Sequence, residues 1–167
     1  MARRAFAAIV GAFGIVVAAF LVFQSGLWID VVGVGEYGEA TVTITDGEDG
    51  QQLGTVDVRI ANTTSQRYTG LSDTESLGAD EGMLFVHATE EEHTYVMRRM
   101  SFPLDIIFIA ANGTITTIHH APTPPDGEEY SREYPGVGKY VLEVNRGWTN
   151  ETGVRVGDTV ELPESVR

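Results

Sequence analysis

Residues 103–121 read PLDIIFIAANGTITTIHHA, and this stretch decides the fold. Two runs rich in β-branched residues flank Asn112-Gly113, a dipeptide suited to the positive-φ positions of a hairpin turn. The reading is an antiparallel pair, IIFIAA against TITTIHH. Along the first run Leu104, Ile106 and Phe108 share one face, and Asp105, Ile107 and Ile109 share the other. Both faces are largely apolar, so the carboxylate of Asp105 must be paired, hydrogen-bonded, protonated or beside a cleft; a lone buried charge costs several kcal/mol.

The same kind of pattern extends outward. ATVTIT (40–45), LGTVDVRIA (53–61), MLFVHA (83–88), HTYVMRRM (93–100), GKYVLEVN (138–145) and VGDTVEL (156–162) all read as short strands. DGEDGQ (46–51) joins the first two as a hairpin. TTSQRYTGLSDTESLG (63–78) loses the period of two and suggests short helical turns, as does GWTNETG (147–153). The expected fold is mostly β: a compact, mainly antiparallel barrel or sandwich over residues 40–163 with one or two short helices.

The N-terminus differs in kind. Arg3 and Arg4 precede AFAAIVGAFGIVVAAFLVF (5–23), which carries no charge. At 1.5 Å per residue a helix of this length reaches roughly 28 Å, close to a bilayer core. It reads as a transmembrane anchor after a cytoplasmic stub, residues 1–4, with 24–39 as linker. Acids dominate beyond it, so the positive-inside tendency places the remainder outside the cytoplasm. Cleavage as a signal segment, with a secreted product, is the alternative, although QSGLWID offers a poor cleavage site.

Beyond Arg4 nine basic residues stand against 24 acidic ones, a formal charge of −15. Such a surface repels phosphate backbones and argues against a nucleic-acid partner. Scattered acids and a single lysine, Lys139, resemble the proteins of salt-loving microbes. The absence of cysteine removes disulfides, thiol nucleophiles and thiolate metal sites together.

Glu143 in YVLEV repeats the Asp105 pattern, sharing a face with Val141 and Asn145. Should the two strands approach, Asp105 and Glu143 would form a carboxylate pair with one raised pKa, fit for acid–base work with His120 assisting. Arg67, Arg98 and Arg99 are the candidate cations. His119 and His120 are adjacent in a strand and point to opposite faces, and no HExxH or HxH pattern occurs, so neither a metal nor a cofactor is expected. Met97 with neighbouring aromatics fills a core or lines a groove. Three Asn-x-Thr triplets, at Asn62, Asn112 and Asn150, fall at turns or strand ends.

Taken in order, Arg67 with Gly70-Leu71, EGMLF (81–85), Val96-Met97, PLDI (103–106), Ala121-Pro122, YVLE (140–143), Gly147-Trp148 and Val156-Gly157-Asp158 resemble the uncharacterised domain-of-unknown-function-192 family over roughly residues 55–162. The resemblance implies a small barrel-like β domain, often exported or membrane-tethered in prokaryotes and acidic in halophilic archaea, and supplies no activity. The chain departs from the family's Trp-Met-Lys-Asn-Thr, which here is Val96-Met97-Arg98-Arg99-Met100.

The leading functional expectation is a membrane-anchored extracytoplasmic binding or accessory domain with a small-ligand or peptide cleft near Arg67, Met97, Arg99, Asp105 and Glu143. The alternatives are a hydrolase or lyase using Asp105, Glu143 and His120, and a purely structural envelope protein.

Overall fold

A computed structural model describes residues 35–125 and 132–167. Within it Glu36–Arg167 forms one compact unit. The expected membrane anchor lies outside the described residues, and no helix among those described is long and apolar enough to cross a membrane.

Seven strands build one sheet: β1 (Gly38–Thr45), β2 (Gln52–Ala61), β3 (Glu81–Val96), β4 (Leu104–Ile109), β5 (Ile115–Ala121), β6 (Glu133–Asn145) and β7 (Thr159–Glu161), in the order β5-β4-β6-β3-β2-β1-β7. Neighbours are antiparallel except β2 and β3, which run parallel. That single parallel step needs a crossover, supplied by α1 (Thr64–Thr69) and the loop after it. The sheet curls into a half-barrel until the start of β5 meets the β7 segment at one corner. Thr114 bridges to Thr159, Val160 N donates to Gly113 O at 2.8 Å, and Ile115 N donates to Asp158 O at 2.8 Å.

The hairpin at 103–121 forms as the sequence predicts, with a refinement. Gly113 N bonds Ala110 O at 3.0 Å and Ala110 N bonds Thr114 O at 2.9 Å, which makes Ala111-Asn112-Gly113 a three-residue loop. Only Gly113 takes a positive φ, 92°, whereas a two-residue turn would ask it of Asn112 as well.

The alternation of β4 sorts its side chains between two cores. Ile107 and Ile109 join Val42, Val58, Leu84 and Leu142 inside the curl. Leu104, Ile106 and Phe108 join Met83, Phe85 and Val141 on the outer face, roofed by Leu71 and Met97 from the segments that follow α1 and β3. With both faces covered, β4 is buried at every position.

The structure merges two expected strands. MLFVHA and HTYV belong to one 16-residue strand, β3, interrupted by a wide bulge. Val86 pairs with Tyr140 and Glu91 with Gly138, so β3 spends five steps where β6 spends two. The excursion lets His87 stack on His93, ring centroids 3.6 Å apart.

Candidate functional site

The two short helices are held by different means. Thr63 caps α1 by accepting from Gln66 N at 3.2 Å, while Gln66 Oε1 accepts from Thr63 N at 3.1 Å, a reciprocal capping box. Gly70 ends α1 at φ 52° and ψ −133°, a backbone state reserved for glycine. The second helix, α2 (Trp148–Thr152), has no capping side chain of its own at Gly147.

Asp105 supplies that cap from β4. It is fully buried, and its Oδ2 accepts from Gly147 N at 3.1 Å, Thr149 N at 3.0 Å and Thr149 Oγ1 at 2.7 Å. Its other oxygen, Oδ1, lies 2.6 Å from His120 Nδ1 across the β4–β5 pair. Orphan N–H groups at a helix start need acceptors, and a negative charge there is favourable. Asp105 is therefore kept in an apolar strand to anchor α2.

Glu143 has the opposite situation. In register, Asp105 lies opposite Val144 and Ile106 lies opposite Glu143, so the two acids project from opposite faces of the sheet. The expected acid–base pair is not formed, because sheet parity places Asp105 and His120 on one side and Glu143 on the other. Glu143 sits among the outer-core side chains of Met83 and Ile106, 6 % exposed, and among the described residues no hydrogen-bond donor reaches its carboxyl group. Burial pushes its pKa up from 4.5 to about 8.

Above Glu143 opens a cleft of about 430 Å³ between α1, the loop after β3 and the outer face of the sheet. Its walls are largely apolar, from Leu71, Phe85, Met100 and Leu104, with a few polar groups set among them. Arg67 reaches in from α1 while its Nη1 donates to Asn62 O at 2.8 Å and Val86 O at 2.9 Å. Arg98 lies over the Tyr68 ring, 3.9 Å from its centroid, and donates to Tyr68 O.

From the sheet, His87 Nε2 and the Tyr95 hydroxyl meet at 3.0 Å, the donor being set by the imidazole tautomer. Burial, helped by His93 and then Arg67, lowers the His87 pKa from 6.5 to about 4. Burial likewise raises the Tyr95 pKa, with the Glu143 charge adding to the effect. At neutral pH the floor of the cleft thus presents three neutral polar groups, from His87, Tyr95 and Glu143.

Of the residues the sequence nominates, Arg67, Glu143 and the candidate cation Arg98 share this cleft. Met97 is buried in the outer core, 3 % exposed, and is not part of the lining. Arg99 points elsewhere, its Nη2 2.9 Å from Asp73 Oδ1 on the surface. A left-handed backbone, φ 54°, turns Arg99 away from Arg98. Sequence reasoning misses His87 and Tyr95 as members of the site. The even spacing of His87, His93 and Tyr95 is the one signal that joins the aromatic members.

A larger concavity, about 610 Å³, lies over the outer face of β1 and β2. Its acids Glu39, Asp57 and Glu81 are exposed, and Asp57 accepts from Thr41 Oγ1 at 2.6 Å. Solvated charges of this kind need no ligand, whereas the buried Glu143 lacks a partner among the described residues. Among the described residues no cluster of three His, Asp or Glu side chains is disposed to hold a metal ion. The three Asn-x-Thr asparagines, Asn62, Asn112 and Asn150, are exposed.

A crystal structure from Sinorhizobium meliloti 1021, described as a candidate transcription regulator, superposes with a TM-score of 0.69 at 31% identity, covering 77% of this chain and 97% of that one. A protein of unknown function from Novosphingobium aromaticivorans DSM 12444 gives 0.63 at 30% identity, covering 74% and 85%. No curated protein matches the chain. The family described as Uncharacterized ACR, DUF192, matches residues 44–162, nearly all of the curled sheet with α1, α2 and the cleft, and the chain belongs to that family.

Proposed function

We propose that this protein is a membrane-anchored, extracytoplasmic binding domain that takes a small organic ligand in the cleft between α1 and the outer face of the sheet. The observation that carries the reading is Glu143: a buried carboxyl group, without a partner among the described residues, on the floor of a mostly apolar cleft. A group so placed lowers stability unless something else selects for it, and ligand recognition is the ordinary reason. The cleft volume falls within the range of small-molecule sites, roughly 300–1,000 Å³.

Residues 5–23 act as the anchor, 24–39 as the linker and 40–163 as the exported domain in this reading. It rests on the uncharged N-terminal run and the charge asymmetry around it. A regulator role like that described for the Sinorhizobium protein gains no support here, since a formal charge of −15 beyond Arg4 opposes contact with nucleic acid. Nor does a paired-carboxylate hydrolase, with Asp105 and Glu143 on opposite faces of the sheet.

The test is a thermal-shift and ligand-observed NMR screen of the full chain in detergent against small acids, amides, sugars and short peptides, alongside Glu143→Gln. A ligand that stabilises the wild type and shows weaker binding to the variant supports the reading. A complete absence of binding across the classes overturns it.

A further inference from the structure

The cleft holds two arginines, Arg67 and Arg98. Arg99 and Arg155 find carboxylates, Asp73 at 2.9 Å and Asp46 at 3.0 Å. Arg67 and Arg98, like Arg59, Arg146 and Lys139, have none within ion-pair distance among the described residues. Both face the same cleft, where Glu143 is the one acid of the lining. Arg67 is held by main-chain carbonyls and Arg98 by a tyrosine ring and carbonyl, contacts that position a guanidinium without neutralising it.

We infer that the ligand of this cleft is a small monocarboxylate with an apolar body, its carboxylate held among the Arg67 and Arg98 guanidinium groups and the Glu143 carboxyl group. The inference rests on the cleft being a binding site. A guanidinium fork matches a carboxylate in shape and charge, and two unpaired cations in a low-dielectric cleft favour an anion over a neutral or cationic ligand. Glu143 fits as the third contact when it carries its proton, because a carboxylic acid donates one hydrogen bond to a carboxylate. Its raised pKa, about 8, is consistent with that state at neutral pH. The apolar walls of Leu71, Phe85, Met100 and Leu104 suit a hydrocarbon body and disfavour a sugar.

The arrangement also sets a pH dependence. Around the cleft, His87 and Tyr95 on β3 remain neutral from about pH 6 to about pH 10, facing Arg67 on α1 and Arg98 on the loop after β3. Loss of the Glu143 proton in that window puts a like charge against the bound anion. Affinity for acids then falls as pH rises past about 8, while affinity for neutral molecules does not.

Calorimetry on the full chain in detergent, with empty micelles as blank, tests this with hexanoate and N-acetyl-leucine as acids and with hexanamide and N-acetyl-leucinamide as their neutral twins. The expected result is acids binding at least about tenfold tighter than their amides at pH 7, with that preference shrinking by about tenfold per pH unit above 8. Arg98→Gln, a change at a loop side chain, lowers acid affinity about tenfold and leaves amide affinity alone. Arg67→Gln does the same if the fold survives loss of its two carbonyl contacts. Preference for hexanoate assigns a free fatty-acid-like ligand, and preference for N-acetyl-leucine a peptide C-terminus; either supports the inference. Amides binding as tightly as acids, or no effect of Arg98→Gln, overturns it and leaves the cleft standing as a binding site. Binding of none of these, nor of any sugar or peptide, overturns both readings.

Discussion

Asp105 and Glu143 occupy neighbouring strands, β4 and β6, nearly opposite each other in register, and they lie in very different surroundings. Asp105 faces the inside of the curl and meets four polar contacts: a histidine, two main-chain N–H groups and a hydroxyl. Glu143 faces outward beneath α1 and meets no donor from the described protein. The same residue type pattern, an acid in an apolar strand, serves folding on one face and, in the proposed function, ligand recognition on the other. The number of hydrogen-bond partners, not burial, separates the two roles.

The largest effect that would break this contrast is on stability at Asp105. Asp105→Ala leaves the α2 start and Thr149 without their acceptor, and denaturant unfolding of the full chain in detergent should show a loss of roughly 3–5 kcal/mol. Asp105→Asn keeps one acceptor oxygen and should cost less, about 1–2 kcal/mol. Equal stability of wild type and Asp105→Ala would remove the capping role.

Glu143 should behave in the opposite sense. Its folded pKa, about 8, lies above its ordinary value of 4.5, so between these values the folded state binds more protons than the unfolded one. Stability contributed by the neutral carboxyl group is complete below 4.5 and is lost as pH rises through about 8. Glu143→Gln lacks that loss. The variant should match wild type near pH 4 and exceed it by up to roughly 4 kcal/mol at pH 8, because each pH unit between the unfolded and folded values costs the wild type about 1.4 kcal/mol. Parallel stability profiles from pH 4 to 8 would place Glu143 in a polar environment and dissolve the comparison.

The smallest effect sharpens it from within the cleft. His87, with a folded pKa near 4 against an ordinary 6.5, leaves the unfolded state binding more protons between those values. Stability is complete above 6.5 and falls as pH drops toward 4. His87→Asn should flatten that acid limb by about 1 kcal/mol, a modest figure because the imidazole is only half-buried. An unchanged acid limb would mean that protonated His87 finds solvent readily.

Much of the sheet was legible from the chain. Period-two alternation located β1, β2 and the β4–β5 hairpin because each buries one or both faces continuously, and Gly147-Trp148 marked α2. What escaped was the relation between elements. Alternation says that Asp105 and Ile107 share a face of β4; only the pairing of β4 with β6 says that this face is the one Glu143 avoids. The β3 bulge broke the period where it brought His87 to Tyr95, so one strand read as two. Arg98 and Arg99 were indistinguishable as letters, and a single left-handed residue sends them to different surfaces.

Closure of the sheet has a consequence for how the chain is made. The seam joins Gly113 and Ile115 to Asp158 and Val160, within ten residues of the C-terminus. A chain emerging in order from the ribosome can align its first six strands, yet until β7 arrives β1 and β5 keep open edges, each a template for pairing with another chain. β1 carries Glu39 near its open edge, whereas β5 carries no acid, so the β5 edge depends on the arrival of β7 rather than on charge.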